Sequence, residues 1–172
     1  MKTPLNFFIL SFLICVLSAK SNALNTSSAS VSVNIITPIS IEKVAGKDLH
    51  FGNIAPSKTM GTVILSSTSI RRAEGGATLP STEGTVTAAE FVVSGENSYT
   101  FSISLPASEV ILGNSTNSQT MIVDAFTSTP EATGVLTAGK QTIRIGARLN
   151  INADQSPGTY TSDPFYVIVN YN

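Results

Sequence analysis

The chain has 172 residues, 42% of them apolar and only 12% charged, with a formal net charge of −1. That length suits one domain rather than two, and the near-neutral balance leaves no basic excess to hold a nucleic acid backbone. One His, one Cys and no Trp leave no ligand set for zinc fingers, iron–sulfur clusters or haem, and no Cys–His nucleophile or disulfide scaffold.

Residues 1–23 read as a secretory signal peptide. Lys2 is the positive start, Leu5 to Leu17 is the apolar run, and Ser21-Asn22-Ala23 supplies the small residues of a cleavage site. The run is too short for a membrane anchor, which needs roughly 20 apolar residues. Ile14 before Cys15 argues against lipidation. Cleavage after Ala23 removes Lys2, Lys20 and Cys15, so residues 24–172 form an exported single domain with no cysteine and no membrane span. A compartment that permits disulfides, without a disulfide to use, puts the whole burden of stability on a packed core.

After the Ser/Thr-rich stretch Asn25–Ser30, period-2 patterning dominates. Val31, Val33 and Ile35 alternate with Ser32 and Asn34. Pro38 then separates Val31–Ile36 from Ile39–Val44. Proline cannot donate to a ladder, so two readings stand: one edge strand that bends there, or a free N-terminal segment joined through Pro38 to the first true strand. Further on, Ala89, Phe91 and Val93 share a face, as do Tyr99, Phe101, Ile103 and Leu105. So do Ile143, Ile145, Ala147, Leu149 and Ile151. Gly61–Ser66, Met121–Phe126 and Phe165–Tyr171 are more continuously apolar and predict strands buried on both faces. Turn signals fall at Gly75-Gly76, Gly84, Gly95-Glu96-Asn97, Gly113-Asn114, Gly134, Gly139 and Pro157-Gly158. No helical stripe competes. The expectation is an all-β chain, an antiparallel β-sandwich of seven to nine strands.

Catalytic constellations are thin. His50 stands alone without ligand spacing, and reads as a surface or edge histidine. No Gly-x-Ser-x-Gly elbow exists. Carboxylates such as Glu83 and Glu90 meet only if folding brings them together. Arg71-Arg72 with Glu74-Gly75-Gly76 is the densest polar cluster, and reads as a solvated loop with a tight glycine turn. Asn25-Thr26-Ser27 and Asn114-Ser115-Thr116 match the glycosylation acceptor pattern, which is frequent by chance. The chain is therefore expected to be no enzyme and to carry no cofactor and no metal.

The order of several short motifs is more informative than any one of them. Leu49-His50-Phe51-Gly52-Asn53-Ile54 is followed by Gly61-Thr62-Val63, Arg71 with Gly75-Gly76, and Phe91-Val92-Val93-Ser94-Gly95. Then come Tyr99-Thr100-Phe101-Ser102-Ile103-Ser104-Leu105-Pro106, Ile145-Gly146-Ala147-Arg148-Leu149, Pro157-Gly158-Thr159-Tyr160-Thr161 and Val167-Ile168-Val169-Asn170-Tyr171-Asn172. This series resembles the bacterial secreted family catalogued as domain of unknown function 4402. That family is itself similar to fimbrial and spore-coat-U-like pilin subunits of chaperone–usher systems.

The resemblance implies an immunoglobulin-like (pilin-like) sandwich that lacks its last strand and is completed by a neighbour's N-terminal extension. Residues 24–36 become the candidate donor segment, with Val31, Val33 and Ile35 as donor side chains. Phe165, Val167, Val169 and Tyr171 become the acceptor edge. Pro157-Gly158-Thr159-Tyr160 resembles the turn and tyrosine corner that precede the sixth strand of such sandwiches. The implied partners are a periplasmic chaperone, an usher, and other pilin-like subunits or the chain itself. The implied location is the periplasm, then the cell surface or the extracellular space. The alternative is a self-contained exported sandwich, adhesin-like, that binds through its loops and does not polymerise. A secreted hydrolase is a third, remoter reading.

Overall fold

In the computed structural model, residues 25–172 are described; the signal-peptide expectation for residues 1–23 lies outside them. The chain divides into two units, Met1–Asn34 and Ile35–Asn172. In the first, residues 25–34 contain no strand and every side chain is exposed. Of the two readings of the stretch before Pro38, this matches the free N-terminal segment and not the bent edge strand. Alternation supplies the face of a strand, but a strand also needs a ladder partner, and this segment has none among the described residues.

The second unit contains thirteen extended segments and no helix. They are β1 (Ser40–Lys43), β2 (His50–Phe51), β3 (Ala55–Leu65), β4 (Arg71–Thr78), β5 (Val86–Thr87), β6 (Ala89–Ser94) and β7 (Thr100–Ser104). There follow β8 (Val110–Asn114), β9 (Thr120–Thr129), β10 (Thr133–Val135), β11 (Lys140–Ile151), β12 (Tyr160–Thr161) and β13 (Ile168–Tyr171). The count exceeds the expected seven to nine because β2, β5 and β12 are two-residue pieces and β10 has three residues, too short for sequence patterning to resolve. The architecture is all-β, with antiparallel sheets consistent with a sandwich and one part curled into a half-barrel.

β11 organises the fold. One edge pairs with β9; the other pairs with β6 over Lys140–Ile145 and with β3 over Ala147–Ile151. The strand therefore serves two cores. Its first half places Ile143 against Val93, Phe101, Leu136 and Val169, under the three-stranded sheet β10-β7-β13. Its second half places Ala147, Leu149 and Ile151 against Phe51, Val63, Leu65 and Val123, inside the curled sheet. The expected inward face of β11 is the observed one: Ile143, Ile145, Ala147, Leu149 and Ile151 are all buried. On the wet face, Arg148 meets Asp124 of β9 in a two-pronged ion pair at 2.8 and 2.9 Å, across directly registered positions.

Three expectations need correction. Phe165–Tyr171 is buried on one face only: Val167, Val169 and Tyr171 turn inward while Tyr166 and Ile168 are exposed. Met121–Phe126 likewise keeps one buried residue, Val123, among half-exposed neighbours. The cluster Arg71-Arg72-Glu74-Gly75-Gly76 is not a loop but most of β4, registered against β3. Gly75 holds φ +64° opposite Gly61, where the ladder shifts register. A side chain is strained in that conformation, so here the glycine serves a bulge rather than a turn.

Candidate functional site

The free edge of β13 is the first candidate. β13 pairs with β7, placing Ile168, Val169, Asn170 and Tyr171 opposite Ser104, Ile103, Ser102 and Phe101. The Asn172 amide donates to the Thr100 carbonyl at 3.3 Å. Antiparallel ladders alternate bonded and non-bonded pairs. Asn170 and Ile168 therefore aim their main-chain groups at β7, and Val169 and Tyr171 aim theirs away. Those outward groups have no backbone partner among the described residues. The side chains of the same residues, with Val167, pack on the core beneath. β1 approaches this edge without forming a ladder with it, and Ile39 and Ile41 pack on the same core. The result is an apolar-floored edge with unpaired donors and acceptors, the arrangement that strand addition requires.

One polar cluster closes the end of this edge. The Tyr171 hydroxyl donates to the Thr37 carbonyl at 2.7 Å and accepts from the Glu96 amide at 2.6 Å. The Thr37 amide donates to the Glu96 carboxylate at 2.9 Å. The Tyr99 ring stands edge-on to Tyr171 with centroids 5.5 Å apart. Gly95 makes the approach feasible, since a Cβ there would lie 2.3 Å from the Tyr171 hydroxyl. Thr37 is thereby pinned at the Tyr171 end of β13.

Hydrogen bonds from the Thr37 backbone, then its side chain, hold the Glu96 carboxyl below its ordinary range. A lowered folded value means a contribution present above the ordinary glutamate range and lost as pH falls through the folded value. The expected result is that the Thr37 amide resonance moves as the pH falls below the ordinary glutamate range. In Glu96→Gln, which keeps an acceptor but does not titrate, it should stay still. An unchanged acid profile in that variant would remove Glu96 from the role.

The candidate donor residues carry no ladder pairing among the described residues. Val31 and Val33 lie in the first unit, 96% and 82% exposed, and Ile35 opens the second, 93% exposed. Of the acceptor candidates, Val167, Val169 and Tyr171 share the core just described. Phe165 packs instead on Phe126, with ring centroids 5.2 Å apart, toward the other core.

A second candidate is a cleft of about 620 Å³ at the mouth of the curled sheet. Phe51, Ile54, Leu112, Met121 and Leu149 form its apolar part, and His50, Asn53 and Tyr160 stand among its polar residues. Its walls contain no Asp, Glu, Lys or Arg. One wall is fixed by Gln155, whose amide donates to Gln119, to the Thr120 carbonyl and to Tyr160. The Tyr160 hydroxyl donates to the Ser156 carbonyl at 2.8 Å, four residues upstream, a bond of tyrosine-corner type. His50 is an exposed residue of β2 opposite Thr87.

Sequence reasoning missed Arg71. Its side chain is 3% exposed, and one guanidinium nitrogen donates to the Phe51 and Asn53 carbonyls at 2.7 and 2.9 Å. The other nitrogen lies 3.6 Å from the Glu83 carboxylate. Arg71 thus holds the Gly52 turn at the lip of the cleft, whereas Arg72 is exposed beside Glu74. Nothing in a pair of adjacent arginines distinguishes the buried one; only the strand's alternation does, once the segment is known to be a strand.

The fold defines an all-β domain with antiparallel sheets consistent with a sandwich, and with β13 as an edge strand that has no second partner among the described residues. The chain belongs to the DUF4402 family, a domain of unknown function whose model matches residues 39–171. No curated protein matches the chain, and no solved structure matches it.

Proposed function

We propose that this protein is a pilin-like structural subunit of the cell surface. It assembles when the segment carrying Val31, Val33 and Ile35 of one copy adds to the β13 edge of the next. The observation that carries the reading is the β13 edge itself, where Val169 and Tyr171 combine inward side chains with unpaired outward main-chain groups. A segment with an apolar residue at every second position suits such an edge, because main-chain bonds supply affinity and alternate side chains fill the floor. A head-to-tail contact of this kind does not close on itself and generates a fibre. An edge left open invites aggregation, so the reading includes export through the periplasm with a chaperone and usher as partners.

The test is the mass of the exported chain by size-exclusion chromatography with light scattering, beside Val33→Asp. Multimers are expected from the parent. A carboxylate cannot enter an apolar floor without a partner, so the variant is expected to remain monomeric or chaperone-bound. A parent that is a soluble, cooperatively folding monomer without a chaperone overturns the reading, and multimers unaffected by Val33→Asp remove Val33 from it. The charge-free cleft favours a second reading, a self-contained exported module that binds a neutral ligand; a monomeric parent would leave that reading standing.

A further inference from the structure

We infer that the cleft at the mouth of the curled sheet is a binding site for an uncharged, predominantly apolar small molecule. This rests on the second reading given above, a neutral ligand in this cleft, and adds the ligand's chemical class.

The cleft holds about 620 Å³, within the roughly 300–1,000 Å³ of small-molecule sites. With no Asp, Glu, Lys or Arg in its walls, an ionised ligand would give up its hydration and gain no counter-charge. The Arg71 guanidinium behind the Gly52 turn does not change this. One of its nitrogens is taken by the Phe51 and Asn53 carbonyls, and the other faces Glu83.

The polar groups of the inner wall are committed to the protein itself. The Gln155 amide nitrogen serves three acceptors, and its oxygen accepts from the Asn152 amide at 3.3 Å. The Tyr160 hydroxyl accepts from Gln155 and donates to the Ser156 carbonyl. The Ser156 amide is bonded to Gln119, and the Pro157 carbonyl to Asn114. A hydroxyl-rich ligand body would find few partners here for the water it left behind. Among the groups left over, the Thr85 and Thr159 hydroxyls and the His50 ring belong to exposed residues of the rim.

What the cleft does offer is apolar surface. Leu49, Ile54, Leu112 and Met121 line it and stay half-exposed, beside the buried Phe51, Leu149 and Ile151. Leu112 of β8 stands directly opposite Met121 of β9. The alternation of β8 turns its neighbour Ile111 to the other face, 62% exposed. An apolar molecule seated on these side chains removes their remaining surface from water, and a neutral polar end can face the rim.

The experiment presents the exported chain with two dyes of one ring system. N-phenylnaphthylamine is neutral; anilinonaphthalene sulfonate adds a negative charge. The neutral dye is expected to bind saturably, one per chain, and about tenfold or more tighter than the sulfonate. Leu112→Lys, which puts an ammonium in the wall, is expected to weaken it by about tenfold or more. Ile111→Lys, on the outer face, is expected to leave it unchanged. If Leu112→Lys lowers the denaturation midpoint, Leu112→Gln, uncharged and close in volume, takes its place with loss of affinity again expected. Neutral-dye binding that ignores both Leu112 variants overturns the inference. Sulfonate binding as tight as the neutral dye's, and displaced by it, overturns the inference and the neutral-ligand reading together. Maltotriose, neutral but hydroxyl-rich, separates the two by calorimetry. If it binds in a Leu112-dependent way and the neutral dye does not bind, the neutral-ligand reading stands and the apolar class falls. If neither binds, both fall.

Discussion

Phe101→Ala is expected to destabilise the domain by about 3–5 kcal/mol, the range for emptying a fully buried aromatic site. Phe101 is 0% exposed at the centre of the core shared by β6, β7, β10, β11 and β13. Its ring lies against Gly134 of β10, where a Cβ would sit 2.3 Å from the ring edge. Gly134→Ala should therefore also destabilise, by the 1–3 kcal/mol typical of overpacking. The two sites touch, so their effects are not independent. Phe101→Leu with Gly134→Ala should cost less than the sum of the two single changes, because the smaller side chain makes room for the new methyl. Chemical denaturation of the four proteins measures this. Additive effects would mean that the glycine is required by the backbone rather than by the ring. The ring also supports the inner face of the candidate acceptor: Phe101 is registered with Tyr171 and shares its core cluster with Val169. Loss of Phe101 is thus expected to weaken assembly along with folding.

Arg71→Ala is expected to cost about 2–4 kcal/mol by leaving two carbonyls without their charged donor. The side chain is almost wholly buried, so the exposed-pair argument for a negligible effect does not apply. What the guanidinium holds is the turn at Gly52, whose φ is +69°, through the carbonyls on either side of it. Arg71→Met keeps most of the volume and removes the donors. If the hydrogen bonds dominate, both variants lose similar stability; if packing dominates, methionine rescues most of it. A change below about 0.5 kcal/mol in both, the usual surface range, would show that the clamp contributes nothing. Because His50, Gly52 and Asn53 line the cleft, the same variants are expected to alter its lip. Arg72→Ala is the matched control, since Arg72 is exposed and pairs only with a neighbour two residues away.

The differences between the pattern of the sequence and the candidate site have physical causes. Val167, Val169 and Tyr171 share one inward face, where the continuously apolar stretch predicts burial on both. Phe165 does not share their core, because the edge outruns that core and its last ring rests on Phe126. The Thr37–Glu96–Tyr171 cluster joins positions up to 134 residues apart, and no local pattern announces it. Glu96 reads as a turn residue and Tyr171 as the end of a strand; that they share one carbonyl and one amide of distant segments depends on how the two sheets close. Arg71 shows the same limit. Adjacent charges look solvated until the strand's alternation assigns one of them to the interior.

The amino-acid sequence alone determined the all-β character, the inward faces of β6, β7 and β11, and the family, because side-chain alternation and motif order are local properties of the chain. The tertiary structure decided which edge lacks a partner, which arginine is buried, and where the N-terminal segment is anchored. Each of these depends on pairing between segments far apart in sequence, and the alternation of one strand carries no record of its neighbour.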